Sequence, residues 1–407
     1  MKGMNEAALA VTRSLGRHHV PVYRFHPDRS LLDLGSRFCV HRFCENYYTN
    51  ESGLVDNLIN FAQSKSSKPV IFPASDFAAE FIARNETRLS PYLALTSPSQ
   101  ASLDDIQNKR RLLERAEEAG VPIPDTYFPE DQADVLRIAG ALMYPAVVKP
   151  LTSHHWKIDK ITAVIGKVKA VVVSSPEELL DLYRKVAPLA PDMMVQEIIQ
   201  GEEERLLTFL GYISDDGTPL AGCVRKKMRQ YPLGFGYCCL TETVEDPEIM
   251  DLSLRLLNTL NYRGIVGVEF KRDSRDEKPK LIEINARAVR TTATAIAAGV
   301  DLPWIAYQDM TSTTKPTPVF QYTIPMRWIH MPSEVQAGWE LMRKGELSFS
   351  SWISNFRGPK VFAIWAWDDI RPGLEMLWVM GRKVLVRSWR SLREKFMFGK
   401  SLQSDNP

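Results

Sequence analysis

The first part of the chain alternates between helical and strand-like hydrophobic patterns. Such alternation is typical of a parallel sheet covered by helices. The pattern over residues 1–98 predicts, in order, the helix Glu6–Leu15, the strand Val20–Phe25, a helix about Leu54–Gln63, the strand Pro69–Pro73 and the helix Asp76–Asn85.

The opening of this segment lacks one element. A glycine turn at Gly3 runs directly into the first helix, so the strand that normally leads a βαβ unit is absent. Loss of a central strand should leave a buried strand edge unpaired, which is costly. We therefore expect either that the true start lies upstream of Met1 or that this part of the chain is marginally stable.

The middle of the chain mixes helices with strands that look antiparallel. A long helix is predicted from about Gln100 to Ala119, ended by Gly120 and a proline-containing stretch. The further predicted strands are Thr126–Phe128, Tyr144–Pro150, Lys167–Val173, Met193–Ile199, Leu206–Ile213, Leu220–Arg225 and Tyr237–Val244. The further predicted helices are Gln132–Ala141, Pro176–Val186, Pro247–Leu260 and Thr292–Ala298.

A hairpin is predicted where the strand-like run Ile265–Asp273 is followed, after a short polar turn, by a second such run, Lys280–Arg287. A symmetric register places Glu269 directly opposite Glu283, and Asn285 shares a face with Glu283. Like charges in this position are destabilising, so the arrangement favours a cation between them, and oxygen ligands suit Mg²⁺. The alternative is a solvated strand pair whose glutamates meet neighbouring Lys and Arg side chains.

Composition narrows the class of protein. The 407 residues predict two or three domains, and 44% hydrophobic with 25% charged residues is ordinary for a globular protein. A net charge of +2 argues against a nucleic-acid binder. The five cysteines show no metal or disulfide spacing, and neither an export signal nor an apolar run of membrane-spanning length is visible. We expect a cytoplasmic protein.

Lysines upstream of the hairpin add to the candidate chemistry. Lys109 lies on a predicted helix, Lys149 ends a buried strand, and one of Lys167 and Lys169 begins the next strand. Each lysine alone is more often a surface charge. Together with a hairpin bearing two carboxylates, they match the needs of a triphosphate–Mg²⁺ complex.

The order of these motifs resembles the ATP-grasp superfamily, and within it the predicted ATP-dependent carboxylate–amine ligases. The resemblance rests on Lys109, Val147–Pro150, Val195–Gly201, Val268–Phe270 and Leu281–Arg287, with further matches in residues 4–25, Arg225–Pro232 and Gly299–Pro303. It implies a mixed α/β and α+β fold in three parts. These are a Rossmann-like preATP-grasp domain over 1–98 that lacks its first strand, a two-lobed ATP-grasp domain over 99–320 and a C-terminal extension over 321–407. The lid lobe is expected at about 125–190 and the core lobe at about 191–320.

The resemblance also implies roles for individual residues. The ATP phosphates would be held by Lys109, Lys149 and Lys169; the adenine would meet the hinge Gln196, Glu197, Ile198 and Ile199; and the ribose would meet Glu204 or Glu203. The ligands of Mg²⁺ (or Mn²⁺) would be Glu269, Glu283 and Asn285. Arg287 would face the acyl phosphate, with Arg225 assisting.

The implied activity is an ATP-dependent ligation of a carboxylate to an amine, such as an amino acid, through an acyl phosphate. The substrates would be small molecules. A kinase-type or carbamoyl-phosphate-synthase-like enzyme on the same fold is one alternative. A catalytically altered ATP-binding accessory protein is another, because the phosphate cover loop Leu151–Lys157 is not rich in Gly and Ser.

The C-terminal extension is rich in Trp, and its last part is basic. Residues 371–400 carry eight Lys or Arg against two Glu. Six apolar residues fall on roughly one helical face: Leu374, Trp378, Leu385, Trp389, Leu392 and Phe396. This face either packs on the neighbouring domain or lies on an anionic membrane surface or a partner. A homodimer is a further open alternative.

Overall fold

The computed structural model describes residues 5–27, 35–47, 49–151, 156, 159–166, 168, 170–234 and 236–382. Its helices are α1 (Glu6–Arg17), α2 (Glu51–Gln63), α3 (Asp76–Arg84), α4 (Glu86–Leu89), α5 (Gln100–Gln107), α6 (Lys109–Glu118), α7 (Gln132–Ala141), α8 (Asp159–Ile165), α9 (Pro176–Val186), α10 (Pro247–Thr259), α11 (Thr292–Ala297), α12 (Leu302–Thr311), α13 (Met331–Arg343), α14 (Phe349–Ser354) and α15 (371–382).

The strands form a mixed set of sheets. They are β1 (Val22–His26), β2 (Cys39–Phe43), β3 (Val70–Ile71), β4 (Ala94–Leu95), β5 (Thr126–Tyr127), β6 (Ala146–Pro150), β7 (Val171–Val173), β8 (Met193–Glu197), β9 (Leu206–Ile213), β10 (Pro219–Tyr231), β11 (Tyr237–Val244), β12 (Gly264–Arg272), β13 (Pro279–Asn285), β14 (Arg327–Ile329) and β15 (Lys360–Phe362). A short 3₁₀ helix, Glu203–Arg205, precedes β9.

The first part of the chain contains two separate parallel strand pairs, β1–β2 and β3–β4. Val22 and Phe72 pack against one apolar cluster that includes α1, while Phe25 and Ile71 pack against a second cluster that includes α2 and α3. The strands β1 and β3 therefore share a core on each side, yet they do not pair with each other in the described part of the chain. The predicted absence of a leading strand concerns the start of the chain, where residues 1–4 lie outside the described part.

The main sheet has the strand order β13-β12-β9-β10-β11-β14-β15. One face packs on α5, α6 and α10 through a core that contains Phe209 and Leu256, both fully buried. The other face packs on α1 and α12. Because β14 and β15 belong to the C-terminal segment, that segment extends the same sheet rather than forming a separate layer.

The smaller sheet, β5-β8-β6-β7, has its own core with α7 and α9. Its strands are antiparallel, and β6 pairs with β8 so that Lys149 lies opposite Met194. No helix in the described ranges is long and apolar enough to cross a membrane.

The predicted single helix from Gln100 to Ala119 is wrong, because two helices meet at Asn108. The backbone of Asn108 is extended (φ −86°, ψ 110°), and its side chain accepts hydrogen bonds from the amides of Arg110 and Arg111. An asparagine that caps a helix in this way competes with continuation of the preceding helix. The break places Lys109 at the first position of α6.

Several strand boundaries also differ from the prediction. The strand β7 begins at Val171 rather than Lys167, β8 ends at Glu197, and β13 ends before Arg287. The largest difference is β10, which continues past Arg225 to Tyr231. Its polar end is a strand because β11 pairs with it as far as Tyr231, which residue pattern alone does not show.

Candidate functional site

Two carboxylates face each other across the hairpin of β12 and β13. Glu269 pairs with Glu283, which confirms the predicted register. The register shifts by one residue immediately afterwards, since Phe270 pairs with Leu281. This irregularity leaves Ile282 as an extra residue, so both Ile282 and Glu283 are exposed while Leu281 is buried. The bulge therefore aims the Glu283 carboxylate outward, beside Glu269.

An arginine completes the same row of the sheet. Thr208 on β9 pairs with Glu269 on one side and with Arg225 on the other. Because threonine is short, the Arg225 guanidinium reaches past it, and Nη2 lies 3.7 Å from Glu269 Oε1. Arg225 Nη1 also donates to Thr241 Oγ1 at 3.3 Å. The buried Arg225 side chain thus lies beside Glu269, which in turn is paired with Glu283.

The carboxylate pair is electrostatically crowded. Burial raises the pKa of Glu269, and the neighbouring Glu283 charge raises it further, while Arg225, Lys227 and Arg287 oppose the increase. The opposing cations do not offset burial and repulsion, so the pKa stays above its ordinary value. A cation bound between the two carboxylates would relieve this crowding.

Asn285 and Arg287 lie beside Glu283. The Asn285 amide donates to Glu283 Oε1 at 3.1 Å, and its oxygen accepts from Arg287 Nη2 at 3.4 Å. Arg287 forms a two-pronged ion pair with Asp76 at the start of α3, at 2.7 and 3.0 Å. The structure therefore brings the predicted metal ligands together with Arg287, and it adds Asp76 from the first part of the chain.

The oxygen atoms of these side chains suit a hard cation whose remaining ligands are phosphate oxygens. Within the described ranges, no group of three or more His, Cys, Asp or Glu side chains could hold a metal. Two carboxylates and one amide oxygen leave much of a Mg²⁺ shell to oxygens from another molecule. Glu269 and Glu283 lie on paired positions and Asn285 donates to Glu283, so these three residues form one cluster of oxygen ligands.

Two predicted phosphate ligands share this environment. Lys149 Nζ donates to Gln196 Oε1 at 3.0 Å, and Gln196 Nε2 donates to Thr126 Oγ1 at 2.8 Å. Burial and then the Lys109 charge lower the pKa of Lys149, the Glu283 charge partly compensates, and the resulting pKa is about 8. The structure thus brings Lys109, Lys149 and Glu283 within electrostatic reach of one another. Lys169 and most of the cover loop lie outside the described residues.

The side chain of Glu197 is committed to an ion-pair network. Its two oxygens accept from Lys280 Nζ and Arg275 Nη2, each at 2.5 Å, and one also accepts from the Asp125 amide at 3.1 Å. Burial alone would raise the pKa of Glu197, but these hydrogen bonds bring it below its ordinary value. The carboxylate therefore ties β8 to the hairpin, and the adenine contact expected of Glu197 stays a prediction.

Two side chains hold the backbone of the segment after β8 by hydrogen bonds to its carbonyl groups. Lys271 Nζ donates to the carbonyl of Ile199 at 2.9 Å, and Gln200 Nε2 donates to the carbonyl of Ile198 at 3.1 Å. Ile199 is buried and Ile198 is half-buried. Gly201 follows with φ of +108°, a conformation that side chains disfavour. The predicted hinge is thus an ordered turn between the small sheet and the main sheet.

The two candidates for the ribose contact differ in their surroundings. Glu203 Oε1 accepts from Gln230 Nε2 at 2.7 Å and from the Gly234 amide at 3.2 Å. Glu204 is exposed. Both assignments stay predictions, and Glu203 is the one fixed against β10.

Lys227 was not among the candidate residues from the sequence. It is 8% exposed, its Nζ donates to Gln230 Oε1 at 3.2 Å, and its charge reaches Glu269. The available signal was the spacing of Arg225, Lys227 and Arg229, which puts three cations on one face of a strand that continues past Arg225.

A second cluster lies where the first, middle and last parts of the chain meet. Glu6 Oε1 accepts from Arg290 Nη2 at 2.7 Å and lies 3.4 Å from His330 Nε2. Burial lowers the pKa of His330, and Glu6 partly opposes this. The Arg290 guanidinium also lies 5.1 Å from the centre of the Tyr237 ring. No sequence signal connected these residues, because they are far apart along the chain.

Parts of the chain are similar to known proteins. Residues 190–332 match the family described as "ATP-grasp in the biosynthetic pathway with Ter operon". The chain is 23% identical over 252 residues to a D-aspartate ligase from Enterococcus faecium (strain Aus0004), covering 60% of this chain and 59% of that protein. It thus spans about three fifths of the length of this relative.

Solved structures show the same fold. A biotin carboxylase–β,γ-ATP complex from Campylobacter jejuni has a TM-score of 0.57 and 15% identity, over 77% of this chain and 70% of that one. An L-amino acid ligase from Bacillus licheniformis has a TM-score of 0.54 and 15% identity, over 77% and 73%. These likenesses show the fold, and they confirm the predicted mixed α/β fold class.

Proposed function

We propose that this chain, which has the ATP-grasp fold, is an ATP- and Mg²⁺-dependent ligase that joins a carboxylate to an amine. The observation that supports this most strongly is the pairing of Glu269 with Glu283 beside Arg225, within electrostatic reach of Lys109 and Lys149. One end of the site is anionic and the other is cationic, as a nucleotide triphosphate with a divalent cation requires.

The cationic end would bind the phosphates. Lys149 is positioned by Gln196, which is itself held by Thr126, so the ammonium needs little reorganisation to meet an anion. Lys109 approaches from the first turn of α6, at the end of the helix whose dipole favours negative charge. Lys169 would add a third cation.

The nucleoside would lie along the turn that follows β8. We assign the adenine contact to the backbone of Gln196, Glu197, Ile198 and Ile199, with the Glu197 side chain holding that backbone in place. The ribose hydroxyls would meet Glu204 or Glu203. The proposal also retains domain boundaries at about 98 and 320 and a cytoplasmic location. A homodimer stays an open alternative.

The anionic end would hold the metal. Glu269, Glu283 and Asn285 would be the protein ligands of Mg²⁺, or of Mn²⁺ in its place. When bound, the cation would neutralise charge on the phosphate oxygens during transfer. The amide of Asn285, which donates to Glu283, fixes the direction of that carboxylate.

The reaction would proceed in two displacements. A carboxylate oxygen of the substrate attacks the γ-phosphorus. The bond between the γ-phosphorus and the oxygen that bridges it to the β-phosphate breaks, so that ADP departs and an acyl phosphate forms. The amine nitrogen then attacks the acyl carbon, phosphate departs, and the amine proton passes to solvent. Arg287 and Arg225 would stabilise the charge that develops on the transferred group. The protein supplies positioning and charge, and no protein nucleophile is needed.

The amine or the carboxylate is proposed to be an amino acid. The D-aspartate ligase and the L-amino acid ligase are the relatives that support this choice. It is tested by incubating the protein with ATP, Mg²⁺ and pairs drawn from a panel of carboxylates and amines. ADP and phosphate should appear in equal amounts only when a productive pair is present, together with an amide product.

Two variants sharpen that test. Glu283→Ala should lower turnover by about two to three orders of magnitude, since it removes a ligand of the charge-neutralising cation. Glu248→Ala, an exposed glutamate on α10, is the matched control and should leave turnover unchanged. Full activity of Glu283→Ala would refute the assignment. A phosphorylated product without an amide would identify a kinase-type enzyme instead.

A further inference from the structure

Two ion pairs join the first part of the chain to the segment that follows β13. One is the pair of Arg287 with Asp76 at the start of α3. In the other, Arg290 donates from Nε to Glu6 Oε2 at 3.2 Å and from Nη2 to Glu6 Oε1 at 2.7 Å, in the first turn of α1. Asn5, the cap of α1, donates to a backbone carbonyl in the loop before α3 at 2.6 Å, which ties the starts of the two helices together. Both arginines are therefore held at the same boundary between these parts of the chain.

Arg290 shares a neighbour with the residues around the carboxylate pair. That neighbour is Cys238, which accepts from Arg225 Nη1 at 3.8 Å. Burial raises the pKa of Cys238, and the charges of Arg225, Lys227 and Arg290 oppose this rise. The charge of Glu269 adds to it. Because these charges act together on one thiol, Arg290 lies at the margin of the candidate site.

The Arg290 guanidinium has hydrogen-bonding capacity to spare. The pair with Glu6 uses Nε and Nη2, and within the described ranges Nη1 has no hydrogen-bond partner. The side chain is 29% exposed, and the guanidinium lies 5.1 Å from the centre of the Tyr237 ring, which is itself exposed. An arginine has five N–H donors in a planar fork. It can therefore accept a second anion without losing the first.

Glu6 is itself held in place. Its side chain is 12% exposed, and Oε1 lies 3.4 Å from His330 Nε2. His330 Nδ1 is hydrogen-bonded to Ser333 Oγ at 2.9 Å. Burial lowers the pKa of His330, while Glu6 opposes and Arg290 adds to this decrease, so the imidazole is neutral at pH 7. Arg290 is thus the charged partner of Glu6, and its guanidinium needs little reorganisation to meet a further anion.

We propose that Arg290 binds a second carboxylate of a substrate, one that takes no part in the ligation. This position is called here the second-carboxylate subsite. The inference rests on the proposed function, which assigns the reacting carboxylate to Arg287. Arginine and carboxylate match in geometry, and the exposed Tyr237 ring offers a flat surface beside them for the carbon skeleton. Two classes of substrate carry such a group: an α-amino acid that serves as the amine, and a dicarboxylic acid that serves as the acid.

The test measures steady-state kinetics with MgATP and a panel of matched compounds. As amines, both enantiomers of the common α-amino acids are each compared with their α-carboxamides. As acids, succinate and glutarate are each compared with their half-amides. We expect a productive pair to include a compound with a second carboxylate, and its carboxamide to have a KM about tenfold higher or more, with kcat changed less than about threefold. The compound that shows this effect identifies which substrate carries the group.

Two variants and a control assign the effect to Arg290. Arg290→Gln should raise that KM by about tenfold or more and remove the discrimination between acid and carboxamide, with the KM for MgATP unchanged. Arg290→Lys keeps the charge and should retain part of the discrimination. Arg263→Gln is the matched control, because Arg263 also pairs with a carboxylate of the first part of the chain, Glu86, and is 26% exposed. It should behave as the original chain does, and circular dichroism and the melting temperature establish that each variant is folded.

Glu6→Gln separates recognition of a substrate from a purely structural ion pair. The glutamine keeps an oxygen that accepts from Arg290, and it removes the negative charge that competes with the substrate carboxylate. The KM of the compound with the second carboxylate should therefore fall. Equal increases in this KM for Glu6→Gln and Arg290→Gln would assign the pair to the fold alone and overturn the proposal.

Calorimetric titration with Mg²⁺ and β,γ-imido-ATP present distinguishes failure of this inference from failure of the ligase assignment. Binding of a carboxylate-bearing compound that Arg290→Gln abolishes, with no amide product from any pair, would support the second-carboxylate subsite and refute the ligase. Ligation with equal KM for acid and carboxamide in every productive pair would overturn the subsite and leave the ligase standing. Absence of binding by every carboxylate-bearing compound of the panel would overturn the subsite as well.

Discussion

The lysine at the end of β6 gives a prediction that can be followed by pH. Burial and the nearby Lys109 lower the pKa of Lys149 to about 8 from the ordinary 10.5. If Lys149 binds a phosphate, the anion favours the charged ammonium and returns the pKa to the ordinary range or above. ATP binding should therefore take up a proton, and affinity should fall as pH rises above 8.

The magnitude follows from the two pKa values. With a free-state pKa of about 8, Lys149 is almost fully charged at pH 7, half charged at pH 8 and about one-tenth charged at pH 9. The apparent Kd for ATP should accordingly rise about tenfold between pH 7 and pH 9, which corresponds to about 1.4 kcal/mol. Proton uptake should be about half a proton per ATP at pH 8.

Calorimetric titration with MgATP, in two buffers of different ionisation enthalpy, measures both quantities. The matched variant is Lys149→Arg, since arginine stays charged throughout this range and its pH profile should be flat from 7 to 9. Gln196 remains available to accept its hydrogen bond. A flat profile in the unmodified chain, with no buffer-dependent heat, would refute the assignment of Lys149 to the phosphates.

Two further predictions concern stability. Asn108→Ala removes the cap of α6, so the free energy of unfolding should fall by about 1 kcal/mol in urea titrations, and Asn108→Asp, which keeps a cap, should not show this loss. Glu334→Ala leaves the buried Arg229 without its ion-pair partner and should cost about 3–5 kcal/mol, whereas Glu340→Ala on the exposed side of α13 should cost little. A loss below 1 kcal/mol for Glu334→Ala would contradict the second prediction.

The hairpin was the most predictable part of the site. Its two strands are sequential and joined by a short turn, so a symmetric register was enough to place Glu269 opposite Glu283. The bulge that follows could not be predicted, because an extra residue in one strand is decided by packing on the sheet. That bulge is what exposes Ile282 and Glu283 together.

The hinge shows how a motif can locate a segment without describing its contacts. The run from Gln196 to Ile199 begins at the end of β8 and continues past the small sheet. The charge on Glu197, however, is neutralised by Lys280 and Arg275 of the hairpin, which are far away in sequence. The residue pattern around Glu197 does not predict these partners, because long-range ion pairs depend on which strands become neighbours.

The C-terminal segment carried no chemistry in the sequence, yet it reaches the site by two routes. His330 closes the cluster of Glu6 and Arg290, and Glu334 pairs with Arg229 of β10, the strand that also carries Arg225 and Lys227. Because β14 and β15 also continue the main sheet, removing this segment would expose the edge of β11 and leave Arg229 buried without its partner. The segment therefore belongs to the body that positions the cations of β10.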